Sequence, residues 1–214
     1  MPTSPIASIS KQFDQLYKEL KNYTELLDSR FLSLHLARRT IKPSEYEFDV
    51  KAYCILSHAA FEEYFEKLIL EILNISVDRF IRRRPDVNIG LITLIGTQTN
   101  IKIDLERGTS ETSAFQYIKT NLEEAKRVFS AQIERNNGIS IKDLRNLLIP
   151  VAINIKEDAT WKNSLQQLSS ERGSYAHKVG AKTILAPEDA KRYVQDCLLI
   201  SKDVLVQAKK RFTR

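Results

Sequence analysis

The sequence predicts an all-α protein, an up-and-down helical bundle of four to five main helices with a short irregular or hairpin insertion near residues 86–109. Three observations carry this. Glycine and proline number only six each in 214 residues, too few for a turn-rich sheet. Apolar residues recur at threes and fours over long stretches, the spacing of a helix face. A 43% apolar and 28% charged composition is that of an ordinary soluble protein, and the length suffices to bury a core. Residues 1–214 therefore read as a single domain with a frayed start over about 1–10.

The first helix runs from about Ser8 to Arg39, with Phe13, Leu16, Leu20, Tyr23, Leu27, Phe31 and Leu34 on its apolar side. His35 reads as a packing or surface residue. Lys42-Pro43-Ser44 interrupts the chain, and Ser44 followed by Glu47 resembles a capping box. The second helix, about Ser44 to Arg82, has the widest apolar face, from Val50 through Cys54, Phe61 and Phe65 to Ile75, which marks it as central. From Asp86 to about Thr109 the pattern loosens, and Ile89 to Ile95 fits either a short helix or an extended piece. Helix returns over 110–136. Ser140, with Asp143 three later, caps a short helix that Pro150 kinks or ends. Asp158 or Thr160 caps the next, which runs to about Lys178. Pro187, followed by Glu188 and Asp189, opens the last.

The chemistry converges on Arg172-Gly173-Ser174-Tyr175-Ala176-His177. On a helix, five residues place Arg172 and His177 about 140° apart and about 7.5 Å apart along the axis, so the two do not share one stripe. Gly173 lies four before His177 on its face and leaves room for a close neighbour; the plainer reading makes it the helix end and Arg172 a solvated charge. On the second helix His58 and Glu62 are four apart and can hydrogen-bond. A carboxylate near a core needs a partner, and Arg172 is one candidate. Arg79, Arg82, Arg83 and Arg84 form a basic run that suits phosphates or simply solubilises a helix end. The net charge of +6 is compatible with nucleic acid without requiring it.

Several classes are disfavoured. Three scattered histidines and two cysteines, Cys54 and Cys197, lack metal-site spacing, and both cysteines fall on apolar helix faces as buried thiols. The chain has no phosphate-binding glycine loop and no nucleophile elbow. No apolar run approaches a membrane span and no signal peptide is recognisable, so the expected compartment is the cytoplasm. No cofactor is expected.

The Arg172–His177 segment resembles the signature of the HEPN superfamily of all-helical ribonucleases, in particular its bacterial HEPN-like nuclease branch. The passages 52–66, with His58 ahead of Glu62, and 137–148 match as well, so the resemblance covers roughly residues 45–210. It implies a helical homodimer whose signature helices face each other, with Arg172 and His177 forming a composite, metal-independent RNase site. RNA is then the substrate, and an antitoxin or other regulatory protein is an expected partner in a toxin–antitoxin or phage-defence setting. Members often have an amide or acidic residue after the arginine, where this chain has Gly173. Histidine suits proton transfer near neutrality, and arginine suits the charge developing on phosphate. Ser174 and Tyr175 can add hydrogen bonds, Tyr175 also a stacking surface. The competing reading is a non-catalytic RNA- or nucleotide-binding dimerisation module.

Overall fold

The computed structural model describes residues 5–38, 42–83, 88–98, 114–177 and 185–212, and every regular element among them is helical. The all-α class expected from the sequence is the one observed. By contacts the chain forms two compact units. The first comprises Met1–Phe65, Asn137–Leu144 and Ile155–Arg214, the second Glu66–Asn136 and Arg145–Asn154.

In the first unit, α1 (Pro5–Leu27) begins within the stretch expected to fray. It passes through a π turn, Asp28–Leu32, into the short α2 (Ser33–Leu36). The helix expected to run evenly to Arg39 therefore contains one wide turn, in which the Ser33 N–H reaches the Asp28 carbonyl. Asp28 supplies the physical reason. Its carboxylate accepts a hydrogen bond from the buried Tyr53 hydroxyl at 2.5 Å and lies 3.3 Å from Lys191 Nζ. A π turn adds a residue and re-aims the side chains around it.

α3 (Pro43–Arg83) is the long central helix, and its portion to Phe65 belongs to the first unit. Pro43 takes the first helical position, so the cap falls on Lys42, whose N–H meets Glu45 Oε1 at 3.4 Å. The box expected from Ser44 and Glu47 is not formed; Glu47 pairs with Lys51 instead. Val50, Tyr53, Cys54, Phe61, Tyr64 and Phe65 are buried as expected of a central helix. α7 (Ala159–His177) and α8 (Pro187–Phe212) pack together, and α1 packs on α8. Two tyrosines tie to α8 through its own carbonyls: Tyr64 donates to Ser201 O at 3.1 Å and Tyr17 to Leu198 O at 3.4 Å.

In the second unit the rest of α3 packs Leu68, Ile69, Ile72, Leu73 and Val77 into the core. Ile89–Gln98 is a helix, α4, which settles the choice the sequence left open there and corrects the hairpin for that piece. The flanking stretches 84–87 and 99–113 lie outside the described residues. Asn88 caps α4 by accepting the Leu91 N–H at 3.2 Å. α5 (Ala114–Glu134) contributes Leu122, Ala125, Phe129 and Ile133, and Phe115 stacks on Phe80. α6 (Ile141–Leu148) begins in the first unit and ends in the second.

Pro150 sits in a 3-10 turn, Ile149–Val151, closed by Ala152 at φ 52° and ψ 43°. Ile153 N–H reaches Leu148 O at 3.0 Å and Ala152 N–H reaches Ile149 O at 2.8 Å. This is the bonding of a Schellman ending, with alanine where glycine is usual. A left-handed alanine is strained by its Cβ. Ala152→Gly should raise unfolding stability by roughly 0.5–1 kcal/mol after the entropy cost of glycine. Urea unfolding measures this, and a loss of stability would mean the Ala152 methyl packs more than it strains.

Candidate active site

α7 carries the Arg172–His177 segment, and its start is fixed by Asp158, whose Oδ1 accepts the Trp161 N–H at 3.1 Å. Leu165 and Leu168 are buried, and Ser164 donates to Asp196 Oδ2 of α8 at 2.6 Å. The helix runs unbroken through Gly173 to His177, so Gly173 does not end it. A Cβ built at Gly173 would meet nothing within 4 Å. Arg172, four residues after Leu168, continues the inward stripe and is half-buried. Position 177 instead continues the outward stripe of Gly173, Ser170 and Gln166.

Charges of α7 act on buried groups of α3, Arg172 on His58 and Glu171 on Cys54. His58 is 2% exposed, and its Nδ1 lies 3.8 Å from Glu62 Oε2. That separation is too long for the hydrogen bond expected of this pair. Burial, reinforced by the Arg172 guanidinium, pushes His58 down to about 4, with the Asp143 carboxylate opposing. The imidazole is thus neutral near pH 7, and both Arg172 and Asp143 are close enough to act on it. Cys54 is pushed up to about 12 by burial and then by Glu171 of α7. Burial, and then Asp196, likewise raises Cys197. Neither thiol ionises near neutrality, as expected of buried cysteines.

Of the residues singled out in the sequence, His58 lies 3.8 Å from Glu62, and the Arg172 charge acts on His58. Ser174, Tyr175 and His177 have their backbone in α7, while their side chains lie outside the described residues. Arg79, half-buried, and Arg82, exposed, belong to the second unit. The side chain of Arg83 and all of Arg84 lie outside the described residues. Asp143 was missed as a member of this cluster, although its cap was visible. Its Oδ2 accepts from Ser140 N at 3.0 Å and from Ser140 Oγ at 2.6 Å. Gly138 makes room for it, since a Cβ there would fall 2.5 Å from that oxygen. Among the described residues no group of three or more His, Cys, Asp or Glu is placed to hold a metal ion. None of the described helices is long and apolar enough to cross a membrane.

The buried His58 makes stability depend on pH. An unfolded imidazole takes its proton near 6.5, the folded one only near 4. Between these values the unfolded chain binds more protons, so stability is lost as pH falls through the window, by up to about 3 kcal/mol. Urea unfolding should show this slope in the wild type and lose most of it in His58→Gln. A His58 ring resonance titrating near 6.5 in the folded protein would contradict the assignment.

A family model described as RiboL-PSP-HEPN matches residues 12–207. No curated protein and no solved structure matches the chain. HEPN domains are in general nuclease or RNA-binding modules. The matched span takes in most of α1, all of α3, the Arg172–His177 segment and most of α8, and the chain belongs to the RiboL-PSP-HEPN family.

Proposed function

We propose that this protein is a metal-independent endoribonuclease acting in the cytoplasm, in a toxin–antitoxin or phage-defence setting, as a single HEPN-like domain that forms a homodimer. The observation that carries the reading is the unbroken course of α7 through Gly173, with Arg172 half-buried against the His58 side. A straight helix keeps Arg172 and position 177 on different faces. A second copy of the same helix can then supply the histidine opposite each arginine, which makes the site composite.

In the proposed reaction His177 takes the proton from a 2′-hydroxyl. The 2′-oxygen forms a bond to the adjacent phosphorus, and the bond from phosphorus to the 5′-oxygen breaks. The leaving oxygen collects a proton from a general acid or water, and the products are a 2′,3′-cyclic phosphate and a 5′-hydroxyl. Arg172 binds the phosphate oxygens on which charge accumulates. Glu62 and neutral His58 hold the inward side of the arginine, so they act on its position. Ser174 and Tyr175 contribute hydrogen bonds and stacking, and Arg79, Arg82, Arg83 and Arg84 hold RNA phosphates. An antitoxin or regulatory protein restrains the activity in the cell. The other reading, a module that binds RNA or nucleotide without turnover, draws on Gly173, which offers no polar side chain after the arginine.

Labelled total RNA and tRNA incubated in EDTA with wild type, His177→Ala and Arg172→Ala decide between these. Wild type should cleave, and each substitution should slow cleavage by about 10²-fold or more. Folded, dimeric wild type that leaves RNA intact would refute the nuclease and favour the binding module. Gly173→Ala gives a separate check. Helix propensity should make it more stable by roughly 0.5–1 kcal/mol. The lost clearance beside position 177 should slow cleavage by about tenfold or more. A variant both more stable and fully active would show that the clearance is not used.

A further inference from the structure

His58 sits in a cluster of opposed charges. On its own helix the Glu62 carboxylate lies 3.8 Å away, within the range of an ion pair but beyond that of a hydrogen bond. The ring is 2% exposed and the Glu62 side chain 17%. From other helices, Arg172 of α7 and Asp143 of α6 act on the ring in opposite directions. Asp143 is held in place by Ser140, whose N–H and hydroxyl reach its Oδ2 at 3.0 Å and 2.6 Å. Cys54, four residues earlier on α3, feels Glu171 of α7 and keeps its proton near neutrality. No hydrogen bond or ion pair among the described residues occupies the Arg172 guanidinium. Arg79 and Arg211 are half-buried and unpaired too, but Arg172 differs in having a buried imidazole within reach of its charge.

Burial and the Arg172 charge both disfavour the His58 cation, and Asp143 favours it. Burial and Asp143 are fixed by the fold. The Arg172 charge is the one contribution that a ligand can offset. An oxyanion on the guanidinium weakens its field at the ring, so the imidazole gains affinity for a proton. By reciprocity, a proton on the imidazole strengthens the hold on the anion. Protonated Nδ1 is also a donor toward Glu62, so the 3.8 Å gap can close to a hydrogen bond between opposite charges.

We propose that a phosphate oxygen bound at Arg172 and a proton on His58 come together, the protonated ring closing onto Glu62, so that this site binds phosphodiesters with uptake of a proton from solvent. This rests on the reading of Arg172 as the phosphate ligand of the proposed nuclease. His58 acts through the arginine and does not touch the RNA, which makes it a positioning residue. The free ring takes its proton near 4, and burial persists in the complex, so the bound ring titrates between that value and the ordinary one of about 6.5. Above this window both forms are neutral and the coupling vanishes. Within it, affinity rises as pH falls.

The test titrates the full-length protein with sulfate and with a short 2′-O-methyl oligouridine. Both keep a fixed charge at about pH 5 and about pH 7, and neither offers a 2′-hydroxyl for attack. Ionic strength is held constant. Calorimetry in buffers of different ionisation enthalpy counts the protons taken up. The wild type should bind about threefold or more tightly at the lower pH, with proton uptake that largely disappears at the higher one. The pH-dependent uptake should be lost in His58→Gln and kept in His177→Gln, which removes the ring assigned to the chemistry. The chain has three histidines, so His35→Gln and His177→Gln identify the His58 ring resonance in NMR spectra even where His58→Gln does not fold. Its titration midpoint should rise when sulfate saturates the protein.

Binding without proton uptake, uptake retained in His58→Gln, or a His58 midpoint that sulfate leaves unmoved each overturn the coupling and leave Arg172 standing as a phosphate ligand. A wild type that binds neither probe overturns the coupling and the assignment of Arg172 to phosphate together. Coupled binding by a protein that leaves RNA intact upholds the coupling and refutes the nuclease.

Discussion

A helix that runs through the middle of a bundle must find an arrangement for each polar group it carries inward. Between Val50 and Phe65, α3 carries Ser57, His58 and Glu62 among aromatic and aliphatic neighbours. The imidazole of His58 answers this by giving up its charge. A neutral ring meets the Arg172 charge without the repulsion a cation would meet. The burial of Leu165 and Leu168 and the packing of α7 on α8 fix which side of α7 turns inward.

That orientation divides α7 into two chemistries. Buried Leu165 and Leu168 and half-buried Arg172 occupy the inward side, and α7 packs on α8. The outward side has only uncharged polar groups and then glycine. A helix with a polar outer face usually has charges there, since they solubilise it and pair at intervals of four, as Lys119 and Glu123 do on α5.

Much of the fold was legible in the sequence because local chemistry decides it. Ser140 with Asp143, Asp158, and Pro187 with its two acids each mark a helix start that the structure contains. Pro43 moved a cap by two residues because a fixed φ at the first helical position outranks a serine after it. The π turn at Asp28 was not legible. It depends on Tyr53 and Lys191, which are remote in sequence and meet Asp28 only once the helices pack. The site was legible in part for the same reason. Spacing gave Arg172, Glu62 and His58 as candidates, while the neutral state of His58 and the reach of Asp143 depend on burial and on a turn tightened at Gly138.

Gly173 ties these strands together. Glycine in a helix interior costs on the order of 1 kcal/mol against alanine, and here, among the described residues, an added Cβ would meet no atom beyond its own helix backbone within 4 Å. Packing among the described residues therefore supplies no reason for it. The glycine does not end the helix and does not adopt a left-handed backbone. On the proposed endoribonuclease reading, the missing side chain at Gly173 gives the outward side of α7 a flat place, and another molecule's backbone reaches van der Waals contact there more closely than any side chain would allow.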